Sequence, residues 1–364
     1  MKSIRLHIKK TAIMLMAVVS IAFISSCADN NKPEGDNNVD YIISQYTNLS
    51  GDGELYTDSM GRLNFCDFSS MNAALLCPKP NCTHSDENSC SSYGMGNHPI
   101  LFDDSIYFFK VETVRKDDIF YDITTVYKAA TDGTNREVVC TIENLSLPVY
   151  ARMLISGNKS YFTAECSEYD EYGSTTGLTT AYLCSFDLSS CEFEQLAELY
   201  HGYYGGSWLH GAYNGGIYIS CSASEACFDG VDLEKLSLIE NDLMYYNISD
   251  GTLNKSDLPS PVFVGNGYFV YSDNSGTYIL DESDNTVAQC STAITNATIV
   301  NEIMFSSFSD VCVDIMSGVA YYVNDYNGEI VGVNGGKYII RKPSGSGYSY
   351  ESYTQNQIIG DELK

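Results

Sequence analysis

The sequence predicts an all-β fold, a β-propeller of stacked sheets, and three observations carry the expectation. A short unit of turn plus aromatic strand returns seven times along the chain. Helical composition is confined to one stretch, Leu233 to Leu243, which reads as a short insertion. Tyrosine, with 29 copies, gathers at one position of the repeated strand.

The unit is an apolar residue, a polar or glycine turn, then a strand. It appears as Gly51-Asp52-Gly53-Glu54-Leu55-Tyr56 and returns as Phe102-Asp103-Asp104-Ser105-Ile106-Tyr107 and Ser156-Gly157-Asn158-Lys159-Ser160-Tyr161. Tyr213-Asn214-Gly215-Gly216-Ile217-Tyr218 and Val264-Gly265-Asn266-Gly267-Tyr268 follow. Val300-Asn301-Glu302-Ile303-Met304 and Val333-Asn334-Gly335-Gly336-Lys337-Tyr338 complete the series. Spacings between the markers Tyr56, Tyr107, Tyr161, Tyr218, Tyr268, Met304 and Tyr338 are 51, 54, 57, 50, 36 and 34. Their mean of 47 suits a four-stranded propeller blade. Asn-Gly and Gly-Gly supply the positive φ that a tight turn into a strand requires.

A further strand follows many markers, as in Val126–Ala129, Ala181–Phe186, Leu243–Ile248 and Thr277–Leu280. Alternation of apolar with small or polar residues fits sheets covered on both faces. Seven blades is the expected count; a different division of the fifth to seventh units would make six or eight. Only 26 residues follow Tyr338, too few for a full blade. Tyr41-Ile42-Ile43 is therefore expected to complete the last blade and close the ring without an open edge.

Residues 1–26 read as a targeting segment, not as fold. Lys2, Arg5, Lys9 and Lys10 precede an apolar run from Ala12 to Ile24, shorter than the roughly 20 residues of a membrane span. Ile24-Ser25-Ser26-Cys27 resembles the bacterial lipobox, in which Cys27 is lipidated and becomes the first mature residue. Residues 27–40 are polar, rich in Asn and Asp, and read as a flexible tether. The propeller is expected over residues 41–364, held at the extracytoplasmic face of the cell membrane by its lipid.

Formal charge is −27, and removal of the leader's four basic residues makes it −31. Such a surface repels nucleic acid and anionic headgroups, so neither is an expected partner. A monomer is expected. Of 13 cysteines, 12 remain beside Cys27, in a compartment that permits disulfides. Most sit singly in strand-like runs (Cys66, Cys140, Cys184, Cys221, Cys312), where a thiol packs as a small apolar group.

The most specific local signal is Leu76-Cys77-Pro78-Lys79-Pro80-Asn81-Cys82-Thr83-His84, followed by Cys90. Three thiols and one imidazole can close on a structural zinc ion, and with four protein ligands such a site leaves no open position for water. The alternative is a disulfide between two of these cysteines, with His84 uninvolved.

This motif, set between the first and second units, resembles that of a group of Firmicutes propeller lipoproteins of unknown function. The likeness covers the lipobox, the tether, the Cys-Pro/Cys-x-His region and the repeated strands over most of residues 1–340. The repeat is similar, more loosely, to TolB-like and low-density-lipoprotein-receptor-like propellers. The resemblance implies a fold and a location, and assigns no substrate and no catalytic residue.

A second candidate is Tyr200-His201-Gly202-Tyr203-Tyr204-Gly205-Gly206-Ser207-Trp208-Leu209-His210, with two of five histidines and the only tryptophan. It reads as a loop leading into the fourth inner strand, near the channel mouth. His201, Tyr203, Tyr204, Trp208 and His210 could stack on a sugar ring or bracket a peptide; alternatively Trp208 packs between blades.

Enzyme signatures are missing: no Gly-x-Ser-x-Gly, no His-Glu-x-x-His, no phosphate-cradling glycine loop. One tryptophan excludes a full set of sialidase-type boxes. Asp103-Asp104 and Asp117-Asp118 resemble glycosidase pairs but fit solvated turns equally well. The expected function is an anchored binding or scaffold protein for a peptide, glycan or protein, with no enzyme activity. The alternative is a polysaccharide hydrolase or lyase using carboxylates at the channel mouth.

Overall fold

A computed structural model describes residues 41–43, 47–50, 53–86, 89–148, 150–224, 242–294, 297–306, 310–324 and 326–363. The leader, Cys27 and the tether lie outside these residues, as does all but the end of the predicted helical insertion.

Antiparallel strands follow one another in up-and-down order. Strand β1 (Tyr41–Ile43) precedes a first sheet of β2 (Thr47–Ser50), β3 (Gly53–Thr57), β4 (Leu63–Asp67) and β5 (Asn72–Leu75). The second sheet holds β6 (Asn97–Phe102), β7 (Ser105–Lys116), β8 (Ile119–Ala130) and β9 (Glu137–Glu143). The third comprises β10 (Met153–Ser156), β11 (Lys159–Tyr169), β12 (Thr175–Asp187) and the first half of β13 (Phe193–Tyr213). The second half of β13 then opens the fourth, with β14 (Gly216–Ser224), β15 (Asp242–Asn247) and β16 (Leu253–Lys255). The fifth is β17 (Pro261–Gly265), β18 (Tyr268–Asp273), β19 (Gly276–Leu280) and β20 (Thr286–Cys290). The sixth is β21 (Ala297–Val300), β22 (Ile303–Ser306), β23 (Val311–Asp314) and β24 (Val319–Val323). The last contains β25 (Glu329–Asn334), β26 (Lys337–Ser344) and β27 (Gly347–Tyr353). One helical turn, α1 (Gln355–Ile358), leads to β28 (Ile359–Glu362), which adds to β24.

Each marker residue of the repeat lies in the second strand of its sheet, on β3, β7, β11, β14, β18, β22 and β26. The two-residue period of a strand explains why that position must be apolar on both sides. On β7, Ile106 and Phe108 join the core shared with the first sheet, while Tyr107 and Phe109 join the core shared with the third. On β14, Ile217 and Ile219 face back and Tyr218 faces forward. Each large side chain so buried is worth roughly 1.5–3 kcal/mol.

Apolar clusters among the described residues lie between successive sheets all the way round. A last cluster joins Tyr56, Cys66 and Phe68 of the first sheet to Val331, Ile339 and Tyr350 of the final one. The chain is a β-propeller. Tyrosine hydroxyls reinforce the stacking: Tyr107 donates to the Leu188 carbonyl of the next sheet at 2.7 Å, and Tyr213 to Asp284 at 2.8 Å.

Closure differs from the sequence expectation. Strand β1 does not complete the final sheet; it pairs antiparallel with β10, Tyr41 opposite Ile155 and Ile43 opposite Met153. The final sheet has three strands, and it meets the first through side chains and one backbone hydrogen bond between turns, Ser59 N–H to the Ser346 carbonyl at 2.8 Å. A three-residue strand can satisfy any free edge, so its hydrogen-bonding groups specify no particular sheet.

Turns between the third and fourth strands share one device. The last residue of the third strand is an aspartate whose carboxylate accepts from backbone N–H groups two or three residues on: Asp67 from Ser69, Asp187 from Ser189 and Ser190, and Asp314 from Met316 and Ser317. Asp132, Asp281 and Asn247 occupy the corresponding turns and cap them likewise. Five of the 47 acidic side chains are thereby structural, each replacing a turn's missing acceptor.

Candidate functional site

Between β5 and β6 lie about twenty residues, none of the described ones in a strand, and the cysteine motif sits here. Left-handed backbone at Asn81 (φ 66°) and His84 (φ 52°) folds the segment on itself. Lys79 Nζ reaches the Ser89 carbonyl at 2.9 Å. Arg136, beside the β8–β9 turn, holds the segment by donating to the carbonyls of Ser91 and Tyr93, the latter at 2.8 Å.

Within that loop the donor atoms of Cys77, Cys82, His84 and Cys90 all lie within 4.8 Å of one another. His84 Nδ1 is 3.1 Å from Cys90 Sγ, and Cys90, buried, also meets Ser92 Oγ at 2.9 Å. All three thiols are free. Burial alone would raise the Cys77 thiol, but hydrogen bonds from the Ser91 side chain and the Lys79 and Ser91 backbone bring it down to about 6. At Cys82 the His84 backbone lowers the thiol, yet partial burial and the neighbouring Cys77 and Cys90 leave it raised. Tetrahedral zinc spreads thiolate and imidazole ligands roughly 3.5–4 Å apart. The four side chains fit a single metal ion in donor type and in spread.

The second candidate is not a loop. Residues 193–213 form one continuous strand, and Trp208 lies on the first strand of the fourth sheet, opposite Ser220. Glycines here allow close approach: a Cβ at Gly211 (φ +152°) would sit 2.1 Å from the Val264 carbonyl of the fifth sheet. The predicted residues divide between sheets. His201 and Tyr203 belong to the part of β13 paired with β12, where His201 Nδ1 meets Thr180 Oγ1 at 2.8 Å. Trp208 and His210 lie on the following half, and Tyr204 is placed as strand only.

Around Trp208 the structure gathers residues that sequence reading passed over. Arg152, just before β10, lays its guanidinium over the indole, Cζ 4.8 Å from the ring centroid. His210 hydrogen-bonds Ser220 Oγ at 2.7 Å, and burial with the nearby Arg152 charge pushes it down to about 4, so it is neutral. A cleft of about 300 Å³ opens beside the indole, lined by Tyr150, Ser207, Trp208, Ser220, Ser222 and Ser260. Trp208 is 41% exposed and Tyr150 50%, whereas Ser207 is buried with its hydroxyl unpartnered. Tyr150 donates to Glu165 at 3.1 Å; burial raises the Glu165 carboxyl although that bond opposes it. No signal in the sequence ties Arg152 to Trp208, which lie in different repeats.

No family model matches the chain, and no curated protein does. Among solved structures, an oligogalacturonate lyase in complex with manganese is similar at 11% identity and TM-score 0.45, over 88% of this chain and 99% of that one. An acylaminoacyl peptidase from Pyrococcus horikoshii is similar at 10% identity and TM-score 0.46, over 87% of this chain and 52% of that enzyme. The β-propeller domain of the Trilobed protease from Pyrococcus furiosus is similar at 10% identity and TM-score 0.38, over 89% and 96%. These likenesses are of fold.

Proposed function

We propose that the chain is a seven-bladed binding propeller, anchored by lipid at Cys27 to the extracytoplasmic face of the membrane, that takes its ligand at the Trp208 cleft. One observation carries the reading. The only tryptophan of the sequence stands exposed beside a cleft of hydroxyls whose described lining has no carboxylate. An aromatic face flanked by hydroxyls suits a sugar ring or an extended peptide. The chain is expected to act as a monomer without nucleic-acid partners. A screen against glycans and peptides, read by Trp208 fluorescence, tests the reading; no ligand that quenches in wild type and fails to bind Trp208→Ala would reject it. Anchoring is tested by detergent-phase partition, which Cys27→Ser should abolish.

A second reading, cleavage of extracellular polysaccharide, is favoured by Glu165 alone, a half-buried carboxyl raised by its surroundings and hydrogen-bonded to a residue of the cleft. Polysaccharide cleavage that disappears in Glu165→Gln would support it.

For the loop of Cys77, Cys82, His84 and Cys90, zinc is the proposed metal, with a structural role: soft thiolates with one imidazole suit it, and four protein ligands close its shell.

A further inference from the structure

Arg152 has no hydrogen-bond or ion-pair partner among the described residues, in a chain with 47 acidic and 20 basic residues. A guanidinium carries five N–H donors and is not neutralised in proteins, so one that is half-buried without a protein acceptor keeps donors available to a ligand. Burial disfavours its charge here, and the neighbouring His210 adds no compensation, being neutral. Acidic side chains are abundant, yet Arg341, the comparable arginine at the junction of first and last sheets, has two carboxylates while Arg152 has none. Stacking on Trp208 orients the guanidinium and leaves its edge donors unused.

Ser207 supplies a second, independent sign. It is 3% exposed, lines the adjoining cleft, and its hydroxyl has no partner. Buried hydroxyls normally find one. The cleft and the guanidinium share the Trp208 side chain, so one ligand can meet both.

We infer that the Trp208 cleft recognises an acidic saccharide, whose carboxylate pairs with Arg152 and whose ring lies along the exposed aromatic surface of Trp208 and Tyr150. The serine hydroxyls at 207, 220, 222 and 260 meet its hydroxyls. This rests on the binding reading above and narrows its ligand to a class. Carboxylate fits the planar, two-pronged guanidinium, and the serines fit a polyhydroxylated ring better than an apolar one.

The test uses the full chain and short hexuronic-acid oligosaccharides beside the same oligosaccharides with carboxyls reduced to alcohols. Calorimetry and Trp208 fluorescence should show the acidic form binding at least about tenfold more tightly, as a charge-assisted pair implies. Arg152→Gln should remove that difference and Arg152→Lys should keep part of it. Thermal unfolding of both variants shows that they fold, and if Arg152→Gln does not, Ser207→Ala, expected to weaken acidic and reduced forms alike, replaces it. Equal affinity for acidic and reduced forms overturns the inference while leaving a neutral glycan site. Binding of peptides with neither sugar overturns the inference but not the binding function, and quenching by no ligand at all overturns both.

Discussion

Glu54 and Arg341 form an ion pair across the junction of the first and last sheets, 287 residues apart in sequence. Glu54 is fully buried on β3; Arg341, on β26, also reaches Glu329. Tyr350 donates to the second Glu54 oxygen at 2.7 Å. With no strand exchanged between these sheets, this pair and the apolar cluster beside it hold the final sheet to the first, together with hydrogen bonds from Ser59 N–H and the Arg62 guanidinium to Ser346.

Removing Arg341 should therefore cost more than neutralising Glu54. Arg341→Met strands a buried carboxylate and is expected to lose about 3–5 kcal/mol. Glu54→Gln keeps the shape and an acceptor for Tyr350, and leaves Arg341 its second carboxylate. Urea unfolding midpoints check the order, and equal losses would show that the pair does not govern closure.

His98 should make the fold sensitive to mild acid. It is fully buried, donates from Nε2 to the Ala151 carbonyl at 2.8 Å, and burial pushes it from 6.5 down to about 4 although that bond opposes the shift. The unfolded chain takes up the proton first, so stability present above pH 6.5 is lost as pH falls toward 4, by about 3 kcal/mol. His210, lowered likewise, acts in the same direction. His98→Asn, suited to the left-handed φ of 55° at this site, should flatten the decline in melting temperature between pH 7 and 4.5. An unchanged slope would contradict it.

The aspartate turns predict a second loss at lower pH. Asp187 accepts from Ser189 and Ser190, and from Asn158 at 2.8 Å; burial opposes its ionisation, but these bonds prevail and hold the carboxyl below its usual range. A depressed carboxyl stabilises above its unfolded value and ceases to do so as pH falls through the folded one. Asp187→Ala is expected to cost roughly 1–2 kcal/mol and Asp187→Asn much less. Chemical denaturation at pH 7 checks both.

Protein purified without chelator should carry one zinc per chain, with Cys77, Cys82 and Cys90 slow to react with thiol reagents. Cys82→Ser or His84→Ala should lower occupancy and expose residues 76–96 to protease, whereas Cys184→Ser, a buried packing thiol, should leave the metal in place. A metal-free protein with two of the three thiols missing would establish the disulfide instead.

The repeat was legible because each second strand is covered on both faces, which demands large apolar residues at a fixed place whatever the neighbours are. The cysteine motif was legible because its ligands lie within fourteen residues, so local backbone brings them together. The aspartate turns were equally local: Asp67-Phe68-Ser69 and Asp187-Leu188-Ser189 recur in plain view, a signal that tyrosine markers overshadowed. The Trp208 segment reads as a loop in the sequence because of its glycines, whereas those glycines let the continuous strand β13 pass from the third sheet to the fourth.

Composition and spacing alone thus determined stacked sheets, their approximate length and a ligand-like cysteine loop, all consequences of short-range patterning. Only the tertiary structure decided that β1 joins β10, that Glu54 meets Arg341, and that Arg152 lies over Trp208. Hydrogen-bonding edges and single charges are alike from one strand to the next; which pair meets depends on how the sheets stack, a choice made by the whole core.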